Sequence, residues 1–188
     1  MFGRERNQNS FYKLVADEKQ KAPIPPDQTQ TDKIVQCVTS WSISETNLMD
    51  MSTNNFVELA LELTMPSSNM KVPWCLKIYP KGHSGYQCSN GDSEVEFTLK
   101  VDTSKCTLET FQKAVMKDTS MEVKLQFRTQ DSDVSPMEES KASIQVVEFM
   151  NIGLRGRMIT YTNMLKFIKN GVLVLDAVFL LSEVDENF

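Results

Sequence analysis

The chain has 188 residues, enough for one domain with a tail and short for two. Hydrophobic residues make up 40% and charged residues 24%, the balance of an ordinary globular chain. A net charge of −5 disfavours broad attraction to nucleic acid or an anionic membrane surface, and no apolar run approaches the roughly 20 residues that cross a bilayer.

Residues 1–32 read as a flexible polar arm. Pro23, Pro25 and Pro26 favour extended backbone, and the run from Ser10 to Lys21 is too short to hold a helix in isolation. The opening segment lacks the apolar centre of a secretory signal, so with Met1 as the start the expected location is the cytoplasm or nucleus.

From residue 33 to residue 188 a single domain is expected, its apolar residues recurring mostly at every second position. Strands are expected near 34–44 and over FVELALELT, where Val57, Leu59, Leu61 and Leu63 share a face opposite Glu58 and Glu62. VPWCLKIY places Trp74, Leu76 and Ile78 on one face and Cys75, Lys77 and Tyr79 on the other, and Pro80-Lys81-Gly82 ends it as a turn. EVEFTLKV sets Val95, Phe97, Leu99 and Val101 against Glu94, Glu96, Thr98 and Lys100. A helix follows in TLETFQKAVMKD, with Leu108, Phe111 and Val115 at helical spacing. In MEVKLQFRT, Val123, Leu125 and Phe127 alternate with Glu122, Lys124, Gln126 and Arg128. Strands near 141–149 and 172–184 complete the series, separated by a short helix in TNMLKF with Thr162 as its expected N-cap. Alternation with one wet face means antiparallel sheets, and seven or more short strands imply a β-sandwich.

Chemical candidates are few. The four cysteines, Cys37, Cys75, Cys88 and Cys106, form no close pair, and His83 is the only histidine, which argues against a zinc site or a disulfide framework. His83 and Cys88 lie five apart in GHSGYQCSNGD, yet such spacing in a Gly/Ser/Asn loop fits a solvated histidine and an ordinary thiol better than a nucleophilic dyad. The acids of DSDVSPMEES suit a solvated hairpin loop, and GLRGR lacks the strand-to-helix pattern of a phosphate loop. No catalytic residue, cofactor or metal is expected, and the chain does not read as an enzyme.

Three motifs in register carry a resemblance. They are Trp41-x-Ile43; Trp74-Cys75-Leu76 followed by Pro80-Lys81-Gly82; and Asn170-Gly171 leading through Leu173, Asp176, Leu180, Glu183 and Val184. Across residues 33 to 184 the chain resembles the MATH (TRAF-C homology) domain, most of all that of the speckle-type POZ proteins. The resemblance implies an eight-stranded antiparallel sandwich, monomeric by itself, that binds short extended peptides through edge-strand hydrogen bonds and side-chain pockets. In that group a following BTB domain recruits a cullin-3 ubiquitin ligase; no BTB sequence lies within these residues.

The group's peptide groove carries a D-W-G-F motif before the last helix. Here Asn151, Ile152, Gly153 and Leu154 align with it, followed by the basic Arg155; Leu125 and Ile144 align with groove aromatics on earlier strands. The implied groove is aliphatic where the family's is aromatic, with less ring area and no hydroxyl donor. The expected peptide lies across an edge strand near residues 122–129, with Arg155 attracting acidic or phosphorylated flanks. Phe97 belongs to the core by its alternation. The same aliphatics also fit plain packing in a stand-alone scaffold or assembly subunit that meets its partner elsewhere.

Overall fold

A computed structural model describes residues 27–31, 34–83, 91–131, 133–135, 138–144 and 153–184, with backbone alone for 27–31 and 139–144. Two antiparallel sheets account for most of them. The first runs β1 (Asp27–Thr31), β2 (Ile34–Ser44), β9 (Val172–Glu183), β6 (Thr119–Arg128), β7 (Glu138–Ile144). The second runs β3 (Val57–Thr64), β4 (Lys71–Tyr79), β5 (Glu94–Val101), β8 (Gly153–Thr160). Three short helices, α1 (Glu45–Met49), α2 (Leu108–Ala114) and α3 (Tyr161–Leu165), sit in the connections.

The two-residue period of the sequence decides which side chains meet. Ile43 on β2, Val123 and Phe127 on β6, and Leu175 and Phe179 on β9 face one way and are fully buried. Leu76 and Ile78 on β4 and Val95, Phe97 and Leu99 on β5 face them from the second sheet, and all belong to one core cluster. The arrangement is sandwich-like and all-β, its interior made by the inward positions of both sheets. Among the described residues, no helix is long and apolar enough to cross a membrane.

Local chemistry sets the ends of the elements. Thr107 caps α2 by accepting from the Thr110 amide at 3.2 Å. The cap of α3 is Thr160, accepting from the Asn163 amide, and not Thr162, which lies inside the helix. Asn170 and Gly171 both take positive φ in the turn before β9. On the outer face of the first sheet, Asp176 ties three strands together: it accepts from Ser40 on β2 and, at 2.6 Å, from Arg128 Nε on β6.

Several expectations are corrected. The eight strands implied by the resemblance become nine among the described residues. The polar arm does not extend to residue 32, because Asp27–Thr31 pairs with β2, Asp27 opposite Val38 and Thr31 opposite Ile34. The rest of the arm, residues 1–26, lies outside the described residues. β8 occupies the stretch set aside as GLRGR, and β7 begins at Glu138, ahead of the expected 141.

Candidate functional site

β7 ends the first sheet and β8 ends the second, and the two strands contact each other, so both sheet ends come together on one side of the molecule. This side holds most of the residues expected in a groove. Ile144 closes β7 opposite Thr119. Gly153, Leu154 and Arg155 open β8 opposite Lys100, Leu99 and Thr98. Asn151 and Ile152 lie outside the described residues.

The three described β8 residues have different surroundings. Leu154 is 6% exposed and packs in the core beside Leu99. Gly153 lets β8 approach β5 closely: an added Cβ would stand 3.2 Å from the Leu99 carbonyl oxygen and 3.1 Å from Lys100 Cγ. Arg155 points outward, and its Nη2 donates to Glu96 Oε2 at 2.9 Å. The Glu96 side chain is 1% exposed against 54% for Arg155, so a buried carboxylate anchors an accessible guanidinium.

Two parts of the expected groove are displaced. Leu125 is fully buried with Val123 and Phe127, so it packs in the core and does not line a surface groove. The strand it occupies is not an edge either, since β6 pairs with β9 on one side and β7 on the other. Among the described residues the terminal strand beside β6 is β7, β1 being the terminal strand at the other end of the sheet.

The outward face of the second sheet has a charge pattern that the sequence reading passed over. Glu58 and Glu62 on β3 face Lys77 and Lys71 on β4 at 3.9 and 3.8 Å. Glu96 and Glu94 on β5 meet Arg155 and Arg157 on β8 at 2.9 and 3.2 Å. Sign therefore alternates strand by strand, ending on a basic β8. The matching two-residue spacings of Glu94/Glu96 and Arg155/Arg157 were the available signal. Tyr79, expected on the wet face, is buried under Phe56 and His83, whose rings lie 5.4 and 4.6 Å from its own. Burial pushes its phenol above the usual range.

Among the described residues the other chemical candidates do not converge; Cys88, weighed with His83, lies outside them. Of the acidic loop, Asp131 and Asp133 both accept from Lys169, at 3.1 and 3.4 Å, as a solvated clip between loops. Burial raises the thiol pKa of Cys37 to about 11 and that of Cys106 above its usual value, the wrong direction for a nucleophile. Comparison with protein-family models and with curated proteins finds no match for the chain.

Proposed function

We propose that the chain is a protein-interaction module that takes an extended segment of a partner along the β7 edge, with β8 beside it. The observation that supports this most is the meeting of two sheet ends, where β7 ends its sheet and Arg155 stands exposed on the neighbouring strand. An added strand would gain ladder hydrogen bonds from β7, and Arg155 and Arg157 would favour acidic residues flanking it. The reading is that of a MATH-type sandwich, and the cellular role it suggests is the substrate-recognition part of a cullin-3 ubiquitin-ligase adaptor working in the cytoplasm or nucleus. Screening the chain against an array of extended peptides, with Arg155→Glu/Arg157→Glu in parallel, tests it. Peptides that bind the parent and not the variant support the edge; binding indifferent to the charge reversal removes it.

A second reading has its own observation. On the outer face of the first sheet, Ile34 and Val38 of β2 are 48% and 39% exposed, and Val178 and Leu180 of β9 are half-buried beside them. An apolar strip on a sheet face suits a scaffold or assembly subunit that meets its partner there, without ubiquitin chemistry. Val38→Lys distinguishes the two: it would disrupt assembly through the strip and leave peptide binding at β7 unchanged.

A further inference from the structure

The outward face of the second sheet also carries an open cleft of about 400 Å³, bounded by Glu58, Cys75, Lys77, Thr98, Lys100 and the turn 102–105. Register explains why a hollow forms there. Ala60, Cys75, Lys100 and Gly153 stand in one row across β3, β4, β5 and β8. Of this row, Cys75 and Lys100 line the cleft, and the small Cys75 side chain leaves its floor low. The stem of Lys100 passes close over Gly153, where a Cβ would come within 3.1 Å of its Cγ. The Glu58–Lys77 pair walls one side. The turn 102–105 walls the other, held to β4 by the Asp102 amide donating to the Pro73 carbonyl at 2.9 Å.

Charge within the cleft is uneven. Lys77 is paired with Glu58 at 3.9 Å and Lys105 with Asp102 at 3.1 Å. Asp102 also accepts from the hydroxyl and amide of Ser104, and these bonds hold its carboxyl below the usual range, so it stays ionised at neutral pH. Lys100 has no carboxylate at ion-pair distance among the described residues. Three lysines against two carboxylates leave one positive charge, on Lys100, uncompensated in the lining.

We propose that this cleft binds a single carboxylate, that of an aspartate or glutamate side chain on a peptide partner, with Lys100 as the cation it meets. One monoanion brings the lining to neutrality, whereas a phosphate dianion would leave an excess of negative charge. The small side chain of Cys75 gives the carboxylate and its stem room to reach the sheet. Assigning the carboxylate to a peptide rests on the function proposed above; the cleft and its charge do not.

The test is an amide NMR titration of the chain with acetyl-Gly-Glu-Gly-amide, a probe too short to add a strand to β7. Its outcome is therefore separable from that of the edge reading. The expected result is saturable shifts at Cys75, Thr98 and Lys100, absent with the glutamine counterpart and weaker with propionate. Lys100→Gln should weaken binding about two- to fivefold, the scale of one exposed ion pair. Cys75→Leu, which fills the floor, should abolish it, and Lys113→Gln on α2 should change nothing. Equal shifts from the glutamate and glutamine probes, or an unchanged affinity in Lys100→Gln, would overturn the site. Propionate binding as tightly as the tripeptide would overturn the peptide as its source, and a tighter phosphoserine tripeptide would overturn the monoanion.

Discussion

Arg155 reaches diagonally from β8 to Glu96 on β5, a 2.9 Å contact whose carboxylate end is buried and whose guanidinium end is exposed. The asymmetry decides what each half does. Removing the guanidinium takes a charge-assisted bond from a buried carboxylate, while removing the carboxylate leaves an arginine that water can solvate. Arg155→Ala should lower unfolding stability by about 1–2 kcal/mol, on the scale of a lost charge-assisted bond to a buried group. Arg155→Lys should recover part of that, since lysine keeps the charge and loses the planar fork. Urea denaturation measures both; an Arg155→Ala chain as stable as the parent would mean that the contact contributes nothing.

Neighbouring positions on β8 should separate folding from binding. Leu154→Glu places a charge in the core and is expected to destabilise the chain by about 3 kcal/mol or more, with cooperative melting lost or shifted far down. Arg157→Glu changes an exposed side chain and should move the melting temperature by no more than a few degrees. Circular dichroism melts of the two variants check the contrast. It also bears on the peptide screen, because loss of binding in Leu154→Glu would report an unfolded chain and not a groove.

The Pro80-Lys81-Gly82 turn has a backbone reason for its glycine. Gly82 sits at φ +76°, and a Cβ there would stand 3.3 Å from the Glu94 carbonyl oxygen. Gly82→Ala should cost about 1–2 kcal/mol from the left-handed backbone and the close contact together. The loss should appear as an earlier urea midpoint with an unchanged slope.

Thiol accessibility follows burial. Among the described cysteines, Cys37 and Cys106 are buried and Cys75 half-buried, so a thiol reagent at pH 8 should label Cys75 in the folded chain and reach Cys37 and Cys106 only on unfolding. Cys37 adds a pH dependence whose sign is fixed. Its folded-state pKa is about 11 against 9.0 for an ordinary thiol, so between these values the unfolded chain releases a proton that the folded chain keeps. Stability from this group is intact below pH 9 and falls as pH rises toward 11. Cys37→Ala should flatten that part of the stability–pH curve; an identical slope would assign it to other groups.

Strands with a clean two-residue alternation were legible from the residues alone. EVEFTLKV marks β5 to the residue, and the same rule carries β3, β4 and β6, because one wet face imposes charged or polar residues at every second place; β9 lacks that mark, its outward Val172, Val174, Val178 and Leu180 being apolar. β8 was missed for a physical reason. GLRGRMIT offers two glycines and two arginines before its first inward methionine, since a sheet-end strand buries little and Gly153 is needed for close approach to β5. At Leu125 the alternation and the family alignment disagreed. The alternation was right, because a one-residue shift would turn the whole strand inside out. Glu96 was placed on the wet face by the same parity. Its direction is right and its burial was not foreseeable, because the cover comes from elements distant in sequence: Arg155 on β8 and the Gly82 turn.

Hydrogen exchange of β7 amides with and without an array-selected peptide tests the proposed interaction most directly. Slowed exchange confined to Glu138–Ile144 and the adjoining start of β8, lost in Arg155→Glu/Arg157→Glu, is the expected result. Unchanged β7 exchange under a saturating peptide, with protection appearing instead on the β2–β9 face, would contradict it and place the partner on the apolar strip.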